Sequence, residues 1–335
     1  MHLRSAANLI GDRLYALPVA IVYITDKCNS RCVTCDYWRF GRTHMSMDLV
    51  RRLADELPRA GTRCVLLSGG EPLMHPQWDV IAAMFKQAGL RVALATSGIL
   101  LPKSAAKAPG TIDELYVSLD GATPKSYQAI RGVDGLNLIE QGTRALAATL
   151  PITFRTTVQR GNYREIPDLI RLSRSWGAAH HSFLAVDVST HAAFARADQF
   201  DTSMALTPDD LAEFDRVLDE VEHDFAAEFV SGYIAESPEK MQQLQQYFAA
   251  LLDLGQFPFV RCNAPRFSTV IETDGSLKPC FFLPVSGTLN GTSVLSALNA
   301  PEAVELRRQQ RLGERAECER CVCYAYRGVR AIMSE

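Results

Sequence analysis

The chain has 335 residues, 47% of them hydrophobic and 22% charged, with 35 basic and 38 acidic side chains and a formal net charge of −3. This length accommodates one large domain or a core domain with an appendage. The near balance of charge argues against an extended nucleic-acid groove, and the absence of a run of about 18 apolar residues argues against a membrane span. The first twenty residues carry an apolar stretch broken by Gly11, Asp12 and Arg13, which does not read as a signal peptide. The protein is therefore expected in the cytoplasm, where thiols stay reduced, and its nine cysteines call for something other than disulfides.

In chain order, short apolar runs at 19–25, 63–68, 91–96, 114–119, 152–158 and 181–187 alternate with helical stretches near 47–59, 77–89, 137–149 and 164–176. Val80, Ile81, Met84 and Phe85 share one face of the second stretch, and Ile166, Leu169 and Ile170 one face of the fourth. Strands separated by helices predict a parallel sheet with right-handed crossovers. Six units fall short of the eight of a closed barrel, so the expected fold is α/β, with a partial (β/α)6 TIM-type barrel over 1–187. A helical connecting segment is expected over 188–259. In it Thr207 caps a helix that has Pro208 at its first position, and Leu211, Phe214, Leu218 and Val221 form an apolar stripe. Met241, Leu244, Phe248 and Leu251 mark a second helix over 238–252; core packing is the simplest role of both stripes. The last segment, 260–335, is loop-rich and holds five cysteines. In it 267–272 and 276–283 flank Asp274-Gly275, a hairpin signal.

Cys28, Cys32 and Cys35 form a C-x3-C-x2-C set immediately after the first predicted strand. Three thiolates within eight residues can converge on one inorganic centre. A four-iron cube held by three cysteines keeps one iron open for a ligand. Zinc remains an alternative, because His44 could complete a four-ligand site.

The residues downstream give this loop a context. Ser68-Gly69-Gly70-Glu71-Pro72 follows the second strand, Thr96-Ser97-Gly98 ends the third, Ser118-Leu119-Asp120-Gly121 ends the fourth, and Arg131 follows in Ile-Arg-Gly. With the cysteine loop, these resemble the radical S-adenosylmethionine (SAM) superfamily over 19 to about 187. One departure is Thr34, where many members place an aromatic residue before the third cysteine. The resemblance implies a partial barrel and an open iron chelated by the amino and carboxylate groups of SAM. It also implies that Gly69 and Gly70 let backbone approach the ligand, and that the Glu71 carboxylate accepts from the SAM ammonium. Ser97, Ser118, Asp120 and Arg131 would line the same cofactor, with Ser118 and Arg131 on its carboxylate or ribose. The family's chemistry is reductive cleavage of SAM to a 5′-deoxyadenosyl radical that abstracts a substrate hydrogen. An electron donor such as flavodoxin or ferredoxin is implied.

Near the C-terminus, Cys262 and Cys280 flank the hairpin, and Cys318, Cys321 and Cys323 follow. By spacing alone, structural zinc and iron–sulfur stand level. The C-x12-G-x4-C element followed by C-x2-C is similar to the Twitch extension, the short form of SPASM. The resemblance implies a second 4Fe–4S cluster on Cys262, Cys280, Cys318 and Cys321, with Cys323 as alternative ligand. Cys64, in a strand, is read as core.

Two function classes follow. One is a radical SAM enzyme that oxidises or cross-links a small-molecule or peptide natural-product precursor, with peptide epimerisation as a variant. The other is a non-catalytic, zinc-stapled binding protein. The segment before residue 19 is too short for a fused peptide-binding domain, which weighs against a peptide substrate unless a separate chain recognises it.

Overall fold

The computed structural model describes residues 2–190, 193–196 and 202–328. The outer limits of the expected segments, at residue 1 and 329–335, and parts of the connecting segment at 191–192 and 197–201, lie outside the described residues. Six parallel strands form in the expected order: β1 Val19–Thr25, β2 Cys64–Gly69, β3 Arg91–Thr96, β4 Glu114–Ser118, β5 Ile152–Val158 and β6 His180–Ala185. Helices cross between them, including Met47–Arg59, Trp78–Gln87, Leu136–Leu146 and Ile166–Ser175. The strands lie in sequence order and the sheet does not close on itself, so the barrel is partial.

The composition of each strand explains its place. In β1, VAIVYIT is buried at six of its seven positions, as expected of a parallel strand covered on both faces. In β5, Ile152, Phe154, Thr156 and Val158 are buried while the alternate residues are half-exposed, the period of two that separates a packed face from an open one. Leu53, Phe85, Ile139 and Phe154 belong to one continuous core between strands and outer helices. A second core gathers Val158 and Phe183 with Phe214 and Phe248. The latter two come from helices Pro208–Asp224 and Pro238–Leu251, so both predicted apolar stripes are core-forming. Thr207 caps the first of these helices reciprocally with Asp210, and Pro208 follows at its first turn.

The C-terminal hairpin forms as read, but its strands are shorter. β7 is Ser268–Ile271 and β8 is Ser276–Lys278, and the predicted run to 283 stops before Pro279, which has no N–H for a ladder. Gly275 makes the turn at φ 85°. β8 pairs with a two-residue β9, Gly287–Thr288. The pattern of residues had not indicated where this hairpin docks. β7 lies parallel against β1, from Val19↔Ser268 to Val22↔Ile271, so the hairpin extends the barrel's own sheet. Among the described residues no helix is long and apolar enough to cross a membrane.

Candidate active site

The cysteine loop leaves the end of β1 and is held from two sides. On one side, the amides of Arg31 and Val33 donate to the carbonyls of Arg131 and Ile130 at 2.9 and 3.0 Å, which close helix Pro124–Arg131. Gly132, at φ 70°, ends that helix where a Cβ would stand 2.4 Å from the Arg31 carbonyl oxygen. On the other side, the Gly70 amide donates to Thr25 O at 2.9 Å and the Glu71 amide to Lys27 O at 2.7 Å. The two glycines of the Gly-Gly-Glu-Pro turn therefore admit the chain itself: a Cβ on Gly69 would meet Thr25 O at 2.0 Å, and one on Gly70 would meet Lys27 O at 2.3 Å. Gly70→Ala is expected to displace the cysteine loop, lowering stability by roughly 1–3 kcal/mol as overpacking does and weakening SAM binding. A wild-type melting curve and SAM affinity would contradict this.

Glu71 is fully buried and its acceptor positions are filled. Oε1 accepts from Thr96 Oγ1 at 2.7 Å and Leu73 N at 3.1 Å, and Oε2 from Ser97 N at 2.7 Å and Ser97 Oγ at 2.6 Å. A carboxylate offers about four such sites. Burial pushes its pKa up, against the pull of these hydrogen bonds. This geometry ties the end of β3 to the turn after β2. Ser97 Oγ also lies 3.4 Å from Asn29 Oδ1, reaching the cysteine loop.

Asp120, only 2% exposed, accepts from Thr157 N at 2.7 Å, and its Oδ2 stands 2.6 Å from Arg131 Nε. Arg131 Nη1 in turn donates to Cys32 Sγ at 3.5 Å. The guanidinium thus lies between a buried carboxylate and the Cys32 thiol. Ser118 ends β4 half-buried, in register with Arg155 of β5.

Cys28 and Cys35 are raised to about 11 and about 12, chiefly by burial, and each lies within reach of the charge of the other thiols of its loop. Among the described residues no three His, Cys, Asp or Glu side chains gather tightly enough for a single metal ion. Thiolates that each take a separate iron of a cube meet a looser demand. His44, the candidate fourth ligand, packs edge-on against His75 at 4.9 Å between ring centres. The loop also fits a polar ligand, because Asn29 Nδ2 and Ser30 Oγ are buried without a hydrogen-bond partner, and buried polar groups left so call for a bound partner.

Cys262, Cys280, Cys318, Cys321 and Cys323 all line one cavity of about 890 Å³, whose other wall is the barrel lumen at Ile21, Leu66 and Ser68. Burial raises Cys280 to about 12 and Cys318 to about 11, and raises Cys262 and Cys321 as well. The segments carrying them are laced together: Asn263 N donates to Ala325 O and Arg327 N to Asn263 Oδ1, both at 2.9 Å. Cys323 faces Arg155, whose Nη2 stands 3.8 Å from its sulfur. Cys64, expected in the core, is half-buried on the lumen side of β2 and lines the same cavity. Between the two cysteine sets lies Tyr23, 6% exposed, within reach of the charges of both Cys35 and Cys323 and edge-on to Tyr37 at 5.8 Å.

Residues 22–173 match the family described as the radical SAM superfamily, and residues 262–322 match SPASM, an iron–sulfur cluster-binding domain. The second match takes in Cys262, Cys280, Cys318 and Cys321 and stops before Cys323. An AdoMet-dependent heme synthase of Methanosarcina barkeri is 35% identical over 174 residues, 49% of each chain. A GTP 3′,8-cyclase of Heliobacterium modesticaldum is 33% identical over 171 residues, 46% of this chain and 51% of that one. The chain spans about half the length of the curated relatives it matches. Two solved structures share the fold at 14% identity. Streptococcus suis SuiB bound to S-adenosylmethionine has a TM-score of 0.66, covering 99% of this chain and 77% of that one. AnSMEcpe with bound AdoMet and Kp18Cys peptide has a TM-score of 0.64, covering 91% and 90%.

Proposed function

The chain carries a radical SAM domain and a SPASM iron–sulfur cluster-binding domain, and from that premise we propose that it cleaves SAM at a cluster held by Cys28, Cys32 and Cys35 and oxidises or cross-links a small-molecule or peptide precursor in the lumen cavity. The observation that carries the reading is the cysteine loop itself: three thiols at the end of β1, with buried, unpartnered Asn29 and Ser30 groups beside them. When bound, the SAM-binding cluster and its ligand supply a hydrogen-abstracting radical, and the auxiliary cluster supplies an electron acceptor.

The chain's own residues do the rest. Arg131 places a positive charge at Cys32, and hydrogen bonds to cluster sulfurs raise a cluster's potential. Glu71 and Ser97 fix the floor beneath the loop, and Asn29 and Ser30 offer donors to a polar ligand. Cys262, Cys280, Cys318 and Cys321 give four thiolates, a full set that leaves no iron open. Cys323 then stands outside that set, as alternative ligand or cavity wall. The external electron would come from a flavodoxin- or ferredoxin-type donor. Peptide epimerisation stays a variant of this reading, since a redox-neutral product would remove the need for an acceptor.

The test is iron, acid-labile sulfide and 5′-deoxyadenosine formation by the anaerobically reconstituted protein with dithionite and SAM. Zinc without sulfide or visible absorption would instead mark a zinc-stapled binding protein. In the same assay Cys280→Ala is expected to lose about half the iron and still form 5′-deoxyadenosine, while product from the true substrate falls. Unchanged iron content would count against a cluster at that position.

A further inference from the structure

Tyr127 carries a hydroxyl for which the chain supplies no partner. The residue is fully buried, and its ring belongs to the core between strands and outer helices. Among the described residues its hydroxyl makes no hydrogen bond. An unmet buried donor costs free energy that a phenylalanine at the same place would not incur, so this oxygen calls for a use.

Its surroundings indicate which. Burial pushes its pKa up, and the charges that bear on it are those of Arg131, Asp120, Cys32 and Glu71. These belong to the helix itself, the end of β4, the cysteine loop and the turn after β2, so the hydroxyl lies at the end of the barrel that holds the cysteine loop. Tyr127 and Arg131 stand one helical turn apart on Pro124–Arg131 and share a face. From that face Arg131 Nη1 already reaches Cys32 Sγ at 3.5 Å. The two carboxylates nearby are engaged. Glu71 accepts from Thr96, Ser97 and Leu73, and Asp120 accepts from Thr157 N and pairs with Arg131. What remains for the phenol is the Cys32 sulfur and whatever that sulfur ligates.

We propose that the Tyr127 hydroxyl is a second donor, beside Arg131, to the sulfurs of the cluster at Cys32, and that it raises the potential of that cluster; this rests on the cysteine loop holding an iron–sulfur cluster. Cluster sulfurs gain negative charge on reduction. A donor aimed at them therefore stabilises the reduced state more than the oxidised one and eases arrival of the external electron.

The experiment uses holoenzyme with both clusters reconstituted, as wild type, as Tyr127→Phe, and with 3-fluorotyrosine in place of Tyr127. The phenylalanine keeps the ring and removes the oxygen; the fluorinated ring keeps the oxygen and makes it a stronger donor. A potentiometric titration follows the electron paramagnetic resonance signal that SAM perturbs, recorded before SAM is added. The expected result is a lower midpoint in Tyr127→Phe and a higher one with 3-fluorotyrosine, at wild-type iron content and melting midpoint. SAM affinity of Tyr127→Phe, measured by calorimetry, should equal that of wild type. The proposal is overturned if the midpoint of Tyr127→Phe is unchanged, or if both replacements shift it the same way, as repacking of the ring would. An unchanged midpoint with SAM affinity down about three- to tenfold, the size of one lost hydrogen bond, would overturn it by assigning the hydroxyl to SAM. Where Tyr127→Phe does not hold its clusters, the 3-fluorotyrosine protein decides: a higher midpoint supports the proposal, and an unchanged or lower one overturns it. Wild-type iron, sulfide and 5′-deoxyadenosine formation report separately on the radical SAM reading, so the two can fail independently.

Discussion

Replacing Cys28, Cys32 and Cys35 together by alanine is expected to reduce 5′-deoxyadenosine formation to background and to remove about half the iron. The loss should be complete because no other thiol belongs to the loop: the remaining cysteines line the lumen cavity. The loop should keep its fold without the thiols, since it is pinned by main-chain bonds from Arg31 and Val33 to the helix end and from Gly70 and Glu71 to residues 25 and 27. Those bonds do not involve the sulfurs. A circular dichroism melt close to wild type should accompany the loss of activity. Persistent 5′-deoxyadenosine in this variant would end the central reading.

Arg131→Met carries the second large effect. It strands the Asp120 carboxylate, 2% exposed, beside the cysteine loop. Breaking a buried pair by removing one partner costs about 3–5 kcal/mol, a large part of the roughly 5–15 kcal/mol that holds a domain together. Denaturant unfolding should show this loss. Arg131→Met with Asp120→Asn should recover part of it, because the stranded charge is gone. The cluster potential supplies an independent readout: it should fall in Arg131→Met, which removes the donor to Cys32, and the double variant should not restore it. A single variant as stable as wild type, or a double variant no better than the single, would show that the pair contributes little.

Much of this arrangement was legible in the residues because its signals are local. VAIVYIT, ITFRTTV and their neighbours carry strand composition at regular intervals, Thr207-Pro208 marks a helix start, and Asp274-Gly275 marks a turn; each is decided within a few residues of itself. The cysteines stood out as two groups because each group is close in sequence or flanks one turn, although spacing alone left zinc and iron–sulfur level at the second. What could not be read depends on distant partners. Glu71 in a Gly-Gly-Glu-Pro turn gives no hint that Thr96 and Ser97, a strand away, will fill all its acceptor positions. Arg155 looks like an ordinary polar position of an alternating strand until the C-terminal segment brings the Cys323 sulfur within 3.8 Å of it. Cys64 sits in an apolar run that suggests the core, yet a one-residue step in a strand decides between core and lumen. The parallel docking of β7 on β1 joins segments almost 250 residues apart, and no pattern in either four-residue stretch names the other.

That docking has a consequence for how the protein could be cut or evolved. With β7 in place, β1 is hydrogen-bonded on both sides and its apolar ladder from Val19 to Val22 is never an edge. A chain ending before residue 260 would present those four residues as a bare, flat, hydrophobic rim, the kind of surface that templates pairing with another molecule. The C-terminal segment is therefore a guard against self-association as well as a bearer of thiols. A SAM-cleaving barrel of this kind could not shed its second cysteine set without also acquiring another way to cover β1.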